Sequence, residues 1–264
     1  MTHYVSTDFS DNGVTTITML REEVHNAFDD VMISQLISAF EHAQQSSSTR
    51  VVVLRSNGKN FSAGADLNWM RSMATKNYQE NIDDAGVLAT LMNKIANCTK
   101  PTIALVQGAA FGGAVGLVAC CDIAIANERA SFCLSEVKIG LIPAVISPYV
   151  VAAMGKRQAQ RYFLTAERFK APAALNFGLI HEISDDLESA AAPIIESLLQ
   201  NSPSAMSQAK SLIDFVANQP INDKLIDGTS ERIAAIRVSE EGQEGLSSFL
   251  DKRMPAWLKG DNNV

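Results

Sequence analysis

From Pro101 to Cys121 the chain carries no charged side chain, and the residues inside that run narrow what it can fold into. The run is long enough to pass a crude length test for a membrane span. Its substance is alanine, glycine and valine, broken by Gln107, Gly108 and the Gly112-Gly113 pair. Gly112 and Gly116 also fit the spacing of a helix-dimer motif, but the hydropathy is weak for lipid. A buried strand over Thr102–Val106, a glycine turn, and a buried helix from about Gly113 explain the same residues without a membrane. With 47% hydrophobic and 19% charged residues, the chain can enclose such a core. No membrane span is expected.

The flanking pattern agrees. The turn signal Asp11-Asn12-Gly13 leads into the alternating run Val14–Met19, which reads as a strand. Asp29 can cap a helix whose apolar face holds Val31, Ile33, Leu36, Ile37 and Phe40. Val51–Leu54 is a short buried strand ending in the polar turn 56–60, and a long helical pattern covers 79–98. Another strand is expected over 122–126. Strand and helix alternate, which is the rhythm of an α/β fold. After about Ser184 only helical patterns follow, over 187–199, 203–216, 221–237 and 239–253, punctuated by Pro193, Pro203 and Pro220. We therefore divide the chain into an α/β body, 1–195, and an all-helical region, 196–264.

Several function classes drop out. Twenty-two basic residues against 29 acidic ones give a net charge of −7, which repels phosphate backbones and anionic lipid, so no nucleic-acid or membrane partner is expected. Four cysteines, two of them adjacent at 120 and 121 and none in a Cys-x-x-Cys pattern, build neither a disulfide framework nor a zinc site. The N-terminus has neither the basic nor the apolar segment of a secretory signal, and a reducing cytoplasm fits. The four histidines are scattered and no His-Glu-x-x-His occurs; a Gly-x-Ser-x-Gly elbow is also missing. The glycines at 108, 112, 113 and 116 fit neither the dinucleotide fingerprint nor a phosphate-binding loop.

Two segments do point to chemistry. Phe61-Ser62-Ala63-Gly64-Ala65-Asp66-Leu67 follows the Val51–Leu54 strand. Gln107-Gly108-Ala109-Ala110-Phe111-Gly112-Gly113 follows the Thr102–Val106 strand. Each sets small residues where a strand gives way to a helical pattern, and there backbone N–H groups are unpaired with a helix dipole behind them. Two such turns facing each other would make an oxyanion hole from main-chain donors. The same glycines would also serve tight helix–strand packing, and on spacing alone that plainer reading is the stronger one.

These two segments, in order and about forty-five residues apart, resemble the crotonase (enoyl-CoA hydratase/isomerase) superfamily. The likeness continues through Cys-Asp-Ile-Ala-Ile-Ala at 121–126, Ser-Glu-Val-Lys-Ile-Gly-Leu-Ile-Pro at 135–143, Leu-Thr-Ala-Glu-Arg-Phe at 164–169 and the last helical pattern up to Arg253, nearly the whole chain. The resemblance implies a spiral of ββα turns followed by a helical trimerisation region. It implies a homotrimer or a homohexamer built as a dimer of trimers, acting on an acyl-CoA thioester without metal or redox cofactor.

Carried over position by position, the resemblance makes Ala63 and Gly113 the amide donors to the thioester oxygen, and Glu136 the acid–base group beside C2. As C2 gains carbanion character, charge moves onto that oxygen, so fixed donors stabilise the enolate more than the ground state. The backbone of Ala63, Gly64, Ala65, Asp66 and Leu67 would meet CoA with Val24 nearby, and Phe249 and Lys252 match family residues that touch CoA. One position departs. Two-glutamate hydratases carry their second glutamate where this chain has Gly116. Either one glutamate shuttles a proton between carbons, as in enoyl-CoA isomerases, or hydration proceeds with Glu136 serving both transfers or with help from the substrate. Ala65–Met70, Gly112–Leu117, Phe132–Leu141 and Ile142–Tyr149 look like a bacterial subgroup that hydrates 3-methylglutaconyl-CoA in leucine breakdown or isohexenylglutaconyl-CoA in acyclic terpene breakdown. For such diacid thioesters Gly116 is expected to leave room in the substrate pocket; Lys138 or Arg71 could pair with the carboxylate, though either reads more readily as a surface charge. A catalytically silent CoA-thioester-binding protein is the alternative from another class.

Overall fold

The computed structural model describes residues 3–258. The apolar runs become a six-stranded sheet in the order β1 (Val5–Phe9), β2 (Val14–Met19), β3 (Val51–Ser56), β4 (Thr102–Val106), β6 (Ile123–Ala126) and β9 (Glu182–Ile183). Only the β1–β2 pair is antiparallel. Every residue of β4 is buried, as a near-continuous apolar run in a parallel sheet requires.

A second, shorter ladder turns the sheet into a spiral. After each long strand the chain crosses to this layer: at Phe28 after β2, at 62–65 after β3, at β5 (Ala109–Phe111) after β4, and at β7 (Ser131–Cys133) after β6. Phe28 bridges Ala65, Ser62 bridges Ala110, and β5 pairs in parallel with β7, which also pairs with β8 (Phe169–Lys170). Each turn stacks on the one before it. The uncharged stretch Pro101–Cys121 thus holds β4, β5 and α4 (Gly113–Cys120), and no described helix is long and apolar enough to cross a membrane.

Helices fill the outside of the spiral. Asp29 caps α1 (Asp30–Gln45) through its side chain, and Met32, Ile33, Leu36 and Phe40 are buried; Val31, expected on that face, points outward at 42% exposure. Asn77 and Glu80 form a reciprocal capping box at the start of α3 (Tyr78–Ala96), after the short α2 (Leu67–Met73). The stretch between β7 and α5 (Ser147–Thr165) opens with a single-turn helix over Glu136–Ile139, and α5 itself breaks at Gly155. α6 (Ala171–Asn176) leads to β9.

The chain divides into two compact units between Ile194 and Ile195, within α7 (Leu187–Gln200). The second unit is wholly helical among its described residues: α8 (Pro203–Val216), α9 (Asp223–Val238), α10 (Glu240–Leu250) and a short turn over Ala256–Leu258. Pro203 occupies the first turn of α8, where its missing N–H costs nothing. Within this unit Arg253 forks onto Glu244 with bonds of 2.6 and 2.8 Å.

Candidate active site

The two glycine-bearing turns lie side by side in the short ladder, and their hydrogen bonds decide which amides stay available. Ser62 gives both its amide and its carbonyl to the 109–111 strand. Ala63 turns the other way, its amide donating to the His25 carbonyl at 2.9 Å. Gly64 then breaks the alternation with φ +96°, and the Phe28 amide donates to its carbonyl while the Asp66 amide donates to Phe28. Successive amides of an extended chain face opposite sides, so the Ala65 N–H faces away from Phe28, and no hydrogen bond among the described residues claims it. This corrects the expectation for Ala63. The spent amide is that of Ala63, and the donor on offer is that of Ala65.

Its counterpart is Gly113, the first residue of α4, whose amide has no acceptor within the helix. Side chains are excluded around both donors. A Cβ on Gly113 would lie 2.6 Å from Phe28 Cζ, and one on Gly64 would lie 3.0 Å from the Phe111 carbonyl oxygen. Gly112 adopts φ +54°, ψ −126°, a conformation open to glycine alone.

Ala65, Gly113 and Glu136 line one cavity of about 560 Å³. Its remaining walls are mostly apolar, with Phe28, Met73, Leu88 and Ile146 among them. Glu136 opens the short helix after β7, and a Cβ on Gly112 would approach its Oε1 to 3.3 Å. Its Oε2 is buried with no hydrogen-bond partner. Burial raises the Glu136 pKa above the usual carboxylate range, and only the bond from its own backbone amide works the other way. Desolvation disfavours the charged form, so this carboxyl holds its proton more readily than an exposed one.

A buried arginine that sequence reasoning passed over holds the first turn in place. Arg21 pairs with Asp29 at 3.0 Å and with Asp66 at 3.1 Å, and it donates to the Ala27 carbonyl at 2.7 Å. Asp66 also accepts the amides of Asn68 and Trp69 as the cap of α2. Burial would raise its pKa, but those amides and the guanidinium outweigh it and hold the carboxyl low. Breaking such a pair costs about 3–5 kcal/mol. The side chain of Asp66 is thus spent inside the fold, fixing the backbone of Ala63–Leu67.

The other expected residues fall in three places. Leu67 begins α2 and is exposed; Val24 ends a short helical turn over Glu22–Val24 and is also exposed. Phe249 and Lys252 belong to the second unit, both exposed, with Phe249 at 80%. Gly116 is buried and does not line the cavity: a Cβ there would lie 2.3 Å from Ile146 Cγ2 and 3.1 Å from Met92 Sδ. The room expected at Gly116 is therefore filled by Ile146. Neither Lys138 nor Arg71 lines the cavity.

One acidic side chain in the lining was not anticipated. Asp84, on α3, shares the cavity with Glu136. It accepts Trp69 Nε1 at 3.3 Å and Lys76 Nζ at 2.5 Å. On the sequence it reads as one more charge on a solvated helix face.

Comparison with known proteins gives a consistent neighbourhood. The family model described as enoyl-CoA hydratase/isomerase matches residues 10–260. The crystal structure of an enoyl-CoA hydratase from Shewanella pealeana is 57% identical, covers 97% of this chain and 96% of its own, and superposes with a TM-score of 0.95. The 2,3-dehydroadipyl-CoA hydratase of Escherichia coli is 29% identical over 92% of this chain and 94% of that protein. A mitochondrial Delta(3,5)-Delta(2,4)-dienoyl-CoA isomerase from Dictyostelium discoideum is 28% identical over 92% of this chain and 86% of its own length.

Proposed function

The chain belongs to the enoyl-CoA hydratase/isomerase family, and we propose that its reaction is addition of water across the C2–C3 double bond of a 2-enoyl-CoA. The thioester oxygen sits between the Ala65 and Gly113 amides, which gain strength as charge builds on it. Glu136 delivers its proton to C2. The observation that carries this reading is the half-buried Glu136, whose Oε2 is buried and unpartnered, in the same cavity as two unclaimed amides. Burial that disfavours its charged form suits a group that has to give a proton to carbon.

The favoured substrate is a 3-methyl-branched glutaconyl thioester, 3-methylglutaconyl-CoA of leucine degradation or isohexenylglutaconyl-CoA of acyclic terpene degradation. The support is the motif resemblance at Ala65–Met70 and Phe132–Tyr149. Both charged groups in the cavity lining, Asp84 and Glu136, are acidic. A distal carboxylate therefore needs a cation, and Lys76 is the one joined to that lining through Asp84. We further propose that CoA lies along Ala63–Leu67 and Val24, with Phe249 and Lys252 reaching it from a neighbouring subunit of a trimer or hexamer, in the cytoplasm.

A second reading is isomerisation by one glutamate, favoured by the absence of any carboxylate at Gly116. The two separate in one experiment. Purified protein is given 3-methylglutaconyl-CoA and crotonyl-CoA side by side, and products are identified by mass, with Glu136→Gln as the control. Gain of one water on the branched diacid, weaker turnover of crotonyl-CoA, and loss in the variant by about 10²–10⁴-fold are expected. A double-bond shift without mass change would replace hydration by isomerisation.

A further inference from the structure

Hydration needs more than an acid at C2, because the water must be held with a lone pair aimed at C3. In this chain Gly116 offers no side chain for that task, and Ile146 and Met92 close the space behind it. The cavity nevertheless contains a second carboxylate. Asp84 comes from α3, and the donors that fix it, Trp69 Nε1 and Lys76 Nζ, both fall on Oδ1. Oδ2 is left for a ligand. Both anchors fall on the same oxygen, one of them a charge-assisted bond from Lys76, so the other oxygen carries the group's remaining acceptor capacity.

We propose, resting on the hydration reading above, that Asp84 is the second catalytic carboxylate of this enzyme, supplied by α3 instead of α4, and that its Oδ2 holds the attacking water. The water donates one hydrogen to Asp84 Oδ2 as a hydrogen bond that does not break. Its oxygen forms the bond to C3 while its other proton passes to one oxygen of Glu136. In the same step the π pair of C2=C3, polarised toward the thioester oxygen held by Ala65 and Gly113, takes up at C2 the proton that the other Glu136 oxygen releases, so the carboxyl never carries two protons. One proton enters Glu136 and one leaves, so the acid is regenerated, and Asp84 never changes its charge.

The assignment separates water addition from proton transfer at C2. Asp84→Asn keeps an oxygen for Trp69 and Lys76 but presents an amide to the water. Two rates are measured for wild type, Asp84→Asn, Asp84→Ser and Glu136→Gln: hydration of the enoyl-CoA that turns over, and exchange of the C2 proton of butyryl-CoA in deuterium oxide, which needs no water addition. Both Asp84 variants are expected to lose about 10²-fold or more in hydration kcat, with KM within threefold and C2 exchange retained. Glu136→Gln loses both. Hydration within threefold of wild type in Asp84→Asn overturns the assignment, and so does parallel loss of exchange and hydration in both Asp84 variants, which would make the residue structural. Wild-type protein that exchanges C2 but hydrates no enoyl-CoA overturns the hydration reading itself, and the role of Asp84 with it.

Discussion

Glu136 stands where two demands on a carboxyl conflict. Proton delivery to carbon requires a desolvated acid, and desolvation costs stability whenever the group ionises. Because its folded pKa is raised, the native state binds the proton more tightly than the unfolded chain. The contribution is therefore fully present below the unfolded carboxylate pKa and is lost as pH rises through the folded value. Glu136→Gln removes that dependence. In thermal melts across pH 4.5–8, the variant should gain on wild type as pH rises, and the gap should shrink on acidification; a constant difference would contradict the burial argument. At the same scale, the identity of the oxyanion donor was hidden from the sequence by one torsion angle. Both Ala63 and Ala65 sit in the right motif, and only the positive φ of Gly64 determines which amide is spent on His25 and which stays available.

Among the elements, the strands and helices with long apolar runs or clear caps were legible. β4 and α8 match their expected limits, and α1 begins where Asp29 caps it. The three-residue strands β5 and β7 were not, since nothing local distinguishes them from turns; they exist because successive turns of the spiral pair there. Asp84 and Arg21 were missed for a related reason. A charge on a helix or after a strand takes its meaning from what packs over it, and here Trp69, Lys76 and Asp66 do so from other segments. Gly116 shows the converse. Its absent side chain serves the packing of α4 against Ile146 and α3. Gly116→Ala is expected to destabilise by about 1–3 kcal/mol through overpacking, read by urea unfolding. In a cycle with Ile146→Ala, Gly116→Ala is expected to cost less than it does beside Ile146, and equal costs in the two backgrounds would show that the contact is not the cause.

Across the molecule, both units leave large apolar side chains exposed, Leu67 and Leu164 in the first among them. The second exposes Val238 at 78%, Phe249 at 80% and Leu250 at 75%, and side chains of this size are costly to leave in water. The proposed trimer or hexamer predicts a mass of about three or six times 28.5 kDa by light scattering. Phe249→Asp and Leu250→Asp together should shift it toward the single chain, whereas a monomeric wild type would remove the proposed intersubunit route to CoA. In the first unit, the stretch that begins with Glu136 continues through Leu141, Ile142 and Ile146, which line the same cavity. Acid and wall are one piece of backbone. A lineage exploring new acyl groups could not remodel this stretch without also moving its acid, whereas changes at Met73 and Leu88, on α2 and α3, would reshape the cavity and leave Glu136 where it is. Substrate range in such a scaffold has an evolutionary path of least disturbance, and it runs through those two positions, provided that Asp84 and Trp69 on the same helices stay fixed.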